Sequence, residues 1–334
     1  MGWRSKCDLN GPAADARNRR PPIQCLVQSA ECRIDYPSLP SRLSCYPALA
    51  PNRGEVMIGA DYRRDGFAVA ADVLAEAELD AVADDIRGIF ARRARAIGSV
   101  VPDGRDHGAF SQLLLDLFAS DRASYLAAAR QTQYLASVHR LGLSESILHL
   151  LRDIGVEVPS QSTRPVIHFM ADGLRIEGGY HKTPAHQDWR SVQGSLDGVT
   201  LWLPIYDVGP NDYPLELVPG SHRRGLLPSI DDPFGHRIAD GEVLDDAFHP
   251  LTLRRGDIVV FSGFLVHRTG ASGGSRVRIA LSYRFNNAAE PSYIKRNYPN
   301  PYVYRADMCL LHENFPTAAD LAQYFPIDIA RSDQ

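Results

Sequence analysis

Long apolar runs are missing from this sequence of 334 residues. No stretch reaches the roughly 18 consecutive apolar residues that a transmembrane helix needs, and the longest candidates, at 199–206 and 258–261, have the length of strands. A long basic run is also missing and the formal net charge is −4, so neither nucleic acid nor a membrane is expected as a partner. The first ten residues lack the apolar segment of a secretory signal, which predicts a cytoplasmic location.

Cysteine is sparse and unevenly placed. Four of the five cysteines fall within the first 45 residues, and the fifth is Cys309. They form no C-x-x-C pair and have no histidine cluster beside them, which excludes the usual zinc and redox patterns. A disulfide framework is the alternative, although the missing export signal disfavours it.

Residues 1–56 differ in composition from the rest of the chain. They are rich in Pro, Arg, Ser and Cys and show no helical or strand periodicity. Two interpretations stay open: a disordered extension, or a start placed too far upstream, with translation beginning near Met57. The second is slightly favoured. Residues 57–305 are predicted to form one globular domain, and residues 306–334 a C-terminal tail.

The globular part changes from helical to strand patterns along the chain. From Asp72, a suitable N-cap, apolar residues recur at helical spacing at Leu79, Val82, Ile86 and Ile89. Further helices are predicted at 110–118, 124–135 and 144–151, and short strands at 165–170, 199–206, 215–218, 257–261 and 276–285. This order predicts an α+β fold whose core is a double-sheet jelly roll (double-stranded β-helix, cupin-like) with helices packed on one face.

Two histidines and one aspartate form a candidate metal site. His186 and Asp188 are two residues apart, so on an extended chain their side chains point the same way. Alone this pair is a weak signal, since a surface pair is the simpler explanation. His267 ends a later apolar strand, where a core histidine is the alternative. Together the three residues match the two-His, one-carboxylate triad that holds iron(II) and leaves positions open for a cosubstrate and dioxygen.

An arginine in the last predicted strand adds a candidate anion site. The segment at 276–285 alternates, with Arg276, Arg278 and Arg284 on the face opposite its large apolar residues. A guanidinium directed into a barrel needs an anion, and a dicarboxylate cosubstrate could be gripped in bidentate fashion. The alternative is a structural ion pair, which we prefer for Arg276 and Arg284 but not for Arg278.

The stretch from Asp61 to Tyr304 resembles the phytanoyl-CoA dioxygenase family of iron(II)- and 2-oxoglutarate-dependent oxygenases. The opening phrase YRRDGFAVAADVLAEAEL is similar to the start of the family, and AHQDW to its His-Gln-Asp motif. The turn Pro219-Gly220-Ser221-His222 and the strand GDIVVFSGFLVH, which ends in the distal histidine, follow in the order and spacing of the family. One departure is NDYPLELVPGSH, where the family often has Asn-Gly before this turn.

The resemblance implies roles for particular residues. His186, Asp188 and His267 would bind iron(II), and Arg278, eleven residues after His267, would bind 2-oxoglutarate. Trp202 occupies the place of a tryptophan that lines the cosubstrate pocket in the family. The implied reaction uses dioxygen to hydroxylate a C–H bond, with release of succinate and carbon dioxide. A small polar or sugar-containing substrate is expected rather than a protein.

The sequence leaves two other classes of function open. One is a cupin-like metal enzyme that does not use 2-oxoglutarate and would not need Arg278. The other is a jelly-roll binding domain without catalytic activity, which would have no reason to keep the polar cluster. For several nearby residues the sequence leaves two roles open. His181, Lys182 and Arg190 either contact substrate or are solvated, and His168 faces either the barrel interior or the core. The segment 293–305 forms either a lid or a packed tail.

Overall fold

The computed structural model describes residues 58–102, 105–176 and 182–299. This part of the chain contains eight α-helices: α1 Ile58–Asp65, α2 Glu76–Ala96, α3 His107–Ser120, α4 Arg122–Thr132, α5 Ala136–Gly142, α6 Glu145–Asp153, α7 Trp189–Val192 and α8 Pro291–Lys295. Its strands are β1 Phe67–Ala70, β2 Pro159–Gln161, β3 Val166–Met170, β4 Val199–Pro204, β5 Leu215–Leu217, β6 Ser229–Asp232, β7 Gly235–Ile238, β8 His249–Pro250, β9 Ile258–Ser262, β10 His267–Thr269 and β11 Arg278–Asn287. Within the described ranges, none of the helices has the length and apolar character needed to span a membrane.

The strands form two facing sheets and a separate hairpin. The larger sheet has the order β1-β9-β4-β11-β2, and β3 also pairs with β11; the smaller sheet has the order β10-β5-β8. Strands β6 and β7 form a two-stranded hairpin between β5 and β8 in the chain. All pairs between named strands are antiparallel. This arrangement confirms the predicted α+β fold with a jelly-roll core.

The larger sheet is buried on both faces, and the alternation along β11 determines what each face carries. Ile279, Leu281, Tyr283 and Phe285 join the apolar cluster that also contains the buried residues of α2 to α6. Ala280, from the opposite face of the strand, belongs instead to a cluster with Trp202 of β4 and with Leu215 and Leu217 of the smaller sheet. The interior of the barrel therefore lies on the face of β11 that carries Arg278, Ser282 and Arg284.

The helix α2 begins later than the sequence suggested. Asp72 was expected to cap it, but Asp72 has φ +52 and lies outside the helix. The helix begins at Glu76, where the Glu78 side chain accepts a hydrogen bond of 3.3 Å from the Ala75 backbone N–H. Leu79, Val82 and Ile86 are buried as predicted, and Phe90 is buried in addition. The N-terminal amide is thus capped from inside the first turn, so a cap residue at Asp72 is not needed.

Most other predicted elements agree with the structure to within a few residues. The helices predicted at 110–118, 124–135 and 144–151 correspond to α3, α4 and α6, and the five predicted strands to β3, β4, β5, β9 and β11. The elements that were not predicted are short, as with the four residues of β1 and the three of β10. The predicted segments 1–56 and 306–334 lie outside the described residues.

The contact between α5 and the larger sheet gives a first test. A Cβ atom on Gly142 would lie 2.3 Å from Cε1 of Tyr283, a buried residue whose hydroxyl donates to the Val138 carbonyl at 2.7 Å. We expect Gly142→Ala to lower the free energy of unfolding by about 1–3 kcal/mol, because the well-packed ring cannot move aside. Denaturant unfolding measures the change.

The matched control is Gly88→Ala, in the middle of α2. There a Cβ atom would meet only the end of the flexible Arg92 side chain, at 3.1 Å. Replacing glycine by alanine inside a helix should then raise the stability by about 0.5–1 kcal/mol. Equal effects of the two substitutions would contradict the packing assigned to α5.

Candidate metal centre

The backbone places His186 and His267 side by side. The N–H of each residue donates to the carbonyl of the other, with N–O distances of 3.0 and 3.1 Å, which forms an isolated antiparallel bridge at the edge of the smaller sheet. Asp188 follows two residues after His186, directly before α7. The three residues are 3%, 4% and 5% exposed in the order His186, Asp188 and His267. One potential ligand atom from each lies within 4.8 Å of the others, so the structure brings the predicted triad together.

Backbone carbonyls fix the orientation of both imidazole rings. Nδ1 of His186 lies 2.8 Å from the Pro184 carbonyl, and Nδ1 of His267 lies 3.0 Å from the Leu265 carbonyl. A carbonyl only accepts, so each Nδ1 carries the proton and each Nε2 keeps its lone pair. These two Nε2 atoms lie 3.5 and 3.9 Å from the oxygens of Asp188. The two carbonyls thus orient both Nε2 atoms towards the Asp188 carboxylate, as a shared metal site requires.

Arg284 and Thr200 hold the carboxylate of Asp188. Nη2 of Arg284 lies 2.9 Å from Oδ1, and the Thr200 hydroxyl donates to Oδ2 at 2.6 Å. Burial alone would raise the pKa of Asp188, but Arg284 and the two histidines hold it well below its usual value. Arg284 was predicted to form a structural ion pair, and it does form an ion pair. Its partner, however, is the carboxylate of the candidate centre, which places Arg284 at the site itself.

A third histidine faces the interior of the barrel. His168 of β3 lies opposite Ala280 in the register with β11, and its Nε2 is 3.0 Å from the Ser282 hydroxyl. Its neighbour Ile167 belongs to the helix-side core, so of the two alternatives left open for His168 the structure selects the interior. Burial lowers the pKa of His168 and that of His267 to about 3. Both imidazoles are therefore neutral at physiological pH.

Arg278 lies at the other end of the same face of β11. It is 5% exposed, and its guanidinium carbon lies 5.4 Å from the ring of Trp202. Nη1 donates to the Tyr213 carbonyl, while Nε has no hydrogen-bond partner among the residues that the structure describes. In the described ranges no carboxylate forms an ion pair with it, and burial lowers its pKa to about 9. By contrast, Arg276 pairs with Asp212 at 2.6 Å, which confirms the structural ion pair predicted for it.

Two features beside the triad were not found from the sequence. Gln187, between the two ligand candidates, donates to the Gly225 and Phe264 carbonyls at 2.7 and 2.6 Å and accepts from the Leu227 N–H at 2.8 Å. The β6–β7 hairpin contacts His186 with the edge of Phe234, at a ring distance of 4.9 Å, and brings the His236 ring to 6.2 Å. The phrase SIDDPFGHRI lacks the alternation of a buried strand, and only its Pro-Phe-Gly turn hinted at a hairpin.

The remaining candidates flank the site without joining it. Lys182 and Arg190 donate to backbone carbonyls, those of Ala271 at 3.4 Å and Leu227 at 2.9 Å, so each holds a loop. His181 lies outside the described residues. Of the segment 293–305, the described part packs against the loop after α7, where Arg296 donates to the Gly194 carbonyl at 2.6 Å.

Comparison with known proteins agrees with the resemblance seen in the sequence. The family model described as phytanoyl-CoA dioxygenase (PhyH) matches residues 62–280, which include the triad, Trp202 and Arg278. The chain belongs to the phytanoyl-CoA dioxygenase family. The family predicted from the sequence is thereby confirmed. Arg284 lies just beyond the matched range.

Individual relatives are distant. Phytanoyl-CoA dioxygenase 1 of Oryza sativa subsp. japonica is 30% identical over 103 residues, which are 29% of this chain and 36% of that relative, so the match spans about a third of its length. A non-haem monooxygenase, ThoJ without ligand, has a TM-score of 0.49 at 17% identity over 69% of this chain and 77% of its own. The epimerase SnoN, solved with Fe3+, α-ketoglutarate and nogalamycin RO, has a TM-score of 0.49 at 18% identity over 75% and 92%.

The buried neutral histidines predict how stability depends on pH. His168 and His267 have pKa values of about 3 in the folded protein and 6.5 when unperturbed. The unfolded chain therefore binds more protons below pH 6.5, and the free energy of unfolding should fall as the pH decreases from about 6.5 towards 3. We expect a slope of about 1 kcal/mol per pH unit for each group in metal-free protein, measured by denaturant unfolding.

Replacement of His168 shows how much this residue contributes to the pH dependence of the free energy of unfolding. His168→Asn, which cannot take up a proton, should make the stability less dependent on pH between 6.5 and 4. The matched control is His149→Asn, since His149 is exposed on α6 and its replacement should leave the slope unchanged. An unchanged slope in His168→Asn would show that this imidazole is not buried as described.

Proposed function

We propose that this protein is an iron(II)- and 2-oxoglutarate-dependent dioxygenase that hydroxylates a C–H bond of a small molecule and releases succinate and carbon dioxide. The observation that carries the proposal is the pairing of two sites inside one barrel. A buried His186–Asp188–His267 cluster lies at one end of the face of β11, and the buried Arg278 lies at the other. A metal-chelating acid with a second carboxylate is the kind of molecule that could bind both.

The residues fit the metal that this proposal requires. His186 and His267 offer their Nε2 atoms, since both Nδ1 atoms contact backbone carbonyls, and Asp188 offers an ionised carboxylate. Two nitrogens and one oxygen, without thiolate, suit iron(II) and leave coordination positions for other ligands. Asp188 also distinguishes the site from halogenases of this type, in which a small residue replaces the carboxylate to make room for halide.

The residues also fit the cosubstrate. An unpaired guanidinium in a barrel interior is costly, and Nε of Arg278 is a donor without an acceptor in the described part of the chain. A carboxylate would satisfy that donor and restore the pKa that burial lowers. Trp202, with its ring 5.4 Å from the guanidinium carbon, would flank the acid. This support is independent of the triad, since it concerns a different part of the barrel.

Each side chain then has a defined task. When bound, iron with 2-oxoglutarate and dioxygen would supply the oxidant that attacks the C–H bond. His186, Asp188 and His267 would hold the metal, and Arg278 would orient the acid. The apolar side chains around them exclude water from the reacting centre. The β6–β7 hairpin, with Phe234 and His236 beside His186, is where we expect substrate contacts. A polar or sugar-containing substrate and a cytoplasmic location stay predictions.

Anaerobic titration tests the proposed function directly. Addition of 2-oxoglutarate to the iron(II)-loaded protein should produce the weak visible charge-transfer band of the chelate. Arg278→Ala should weaken 2-oxoglutarate binding by about 2–5 kcal/mol, because it removes one partner of a buried charged pair. Arg276→Ala, whose arginine pairs with Asp212 instead, should change the affinity little.

The alternatives give different results in the same titration. A cupin-like enzyme that does not use 2-oxoglutarate would bind iron but show no band, and an inactive binding domain would bind neither. Folded, metal-loaded protein without the band would therefore contradict the proposal. Equal effects of the two arginine substitutions would mean that the acid is bound elsewhere.

Arg284 is expected to support the metal through Asp188. Arg284→Met keeps much of the side-chain volume but removes the hydrogen bond of 2.9 Å to Oδ1. We expect it to weaken cobalt(II) binding by about 10–100-fold, the usual effect of losing a partner that orients a metal ligand. The visible absorption of the bound cobalt measures the affinity, and Arg276→Met is the matched control. Unchanged binding would contradict this supporting role, and tighter binding would show that Arg284 competes with the metal for the carboxylate.

A further inference from the structure

Tyr213 has an unusual backbone conformation directly beside Arg278. Its φ is +53, in the left-handed region that large side chains rarely adopt, and it precedes Pro214, which disfavours helical backbone values further. Glycine adopts this conformation without strain, whereas a residue with a Cβ atom does not. A tyrosine here must therefore be held by its surroundings. Strained residues of this kind cluster at functional sites.

Contacts from three loops hold Tyr213 in place. The side chain is 3% exposed, its hydroxyl donates to Asp172 after β3, and its backbone N–H donates to the Ser272 carbonyl at 2.8 Å. Gly273 leaves room for the ring, since a Cβ there would lie 1.9 Å from Cε2 of Tyr213. Tyr213, in the loop before β5, thus contacts both the loop after β3 and the loop after β10.

The held backbone gives Arg278 a neutral partner. The Tyr213 carbonyl accepts from Nη1 of Arg278, and Nε of the same guanidinium has no partner within residues 58–102, 105–176 and 182–299. The adjacent Asp212 is occupied elsewhere, because its carboxylate pairs with Arg276 at 2.6 Å and accepts from the Gly209 N–H at 2.9 Å. Arg276 therefore receives the carboxylate and Arg278 a carbonyl. A carbonyl fixes the position of the guanidinium without neutralising its charge.

We propose that Tyr213 is a positioning residue that fixes the Arg278 guanidinium within the barrel and so sets the length of the 2-oxo dicarboxylic acid that the site accepts. This inference rests on the proposed function. A 2-oxo acid that chelates a metal at the triad reaches towards Arg278 by a number of methylene groups, two in 2-oxoglutarate and three in 2-oxoadipate. The distance between the triad and the guanidinium then determines which of these acids fits. The Tyr213 carbonyl contributes to that distance because it fixes the position of the guanidinium.

The test compares two acids on one protein. Calorimetric titration of the full-length, cobalt(II)-loaded protein gives the affinities for 2-oxoglutarate and 2-oxoadipate, and their ratio measures length selection. Tyr213→Gly removes the ring and its contacts, which lets the guanidinium retreat. We expect this variant to shift the ratio by about tenfold towards 2-oxoadipate, the size of effect that a hydrogen bond to a charged group can exert. Tyr213→Phe, which keeps the ring, should stay close to the parent ratio.

A control and a second variant keep the test decisive. Asp72→Gly also relieves a positive φ, of +52, but at an exposed position before α2, and should leave the ratio unchanged. If Tyr213→Gly does not fold, as judged by circular dichroism, Tyr213→Asn replaces it, because asparagine tolerates left-handed backbone and lacks the ring. It should give the same shift.

The outcomes separate the inference from the function on which it rests. Parent protein that binds neither acid would overturn the proposed function. Parent protein that binds 2-oxoglutarate, together with a Tyr213→Gly variant whose ratio is unchanged, would overturn the inference alone, whether both affinities fall equally or neither falls. A purely structural role for Tyr213 would produce that equal fall, so only a shift in the ratio supports positioning.

Discussion

Charge balance in a dry interior is the constraint on which this structure depends. The carboxylate of Asp188 is buried among apolar strands, where a lone negative charge is expensive, and Arg284 and Thr200 compensate it with two direct hydrogen bonds. This compensation requires Arg284 to face inward, which fixes the face of β11 that turns towards the barrel. The apolar alternate residues are thereby directed to the helices. The ion pair inside the barrel and the apolar packing against the helices therefore require the same orientation of β11.

The same face of β11 carries a second arginine, whose charge is not balanced by a carboxylate among the described residues. Arg284 meets a carboxylate, whereas the partners of Arg278 among the described residues are a backbone carbonyl and the ring of Trp202. The barrel interior therefore has a neutralised end and an electropositive end. An anion entering from solvent would be drawn towards the second end, since the first is already balanced. This asymmetry, rather than the number of charged residues, determines at which end of the barrel interior an anion is stabilised.

The sequence predicted the parts of the site that depend on local pattern. His186 and Asp188 were visible as a pair, and the alternation at 276–285 placed Arg278 on the inner face. The partner of Arg284 could not be predicted, because it joins residues 96 positions apart in the chain. The β6–β7 hairpin was missed because its residues are half exposed and lack alternation. Asp72 was misread as a cap because the sequence does not reveal that Glu78 serves this purpose.

The two backbone hydrogen bonds between His186 and His267 have a consequence for how such a protein can diverge. Their register is set locally by the bridge, so the length of chain between the two histidines is not part of the geometry of the site. That intervening chain includes the β6–β7 hairpin, which contacts His186 from outside the two sheets. Insertions, deletions or exchanges there can remodel what lies over the candidate metal centre while His186 and His267 stay in place. The surroundings of the three residues and their mutual geometry are thus separable in this fold, and one can change without the other.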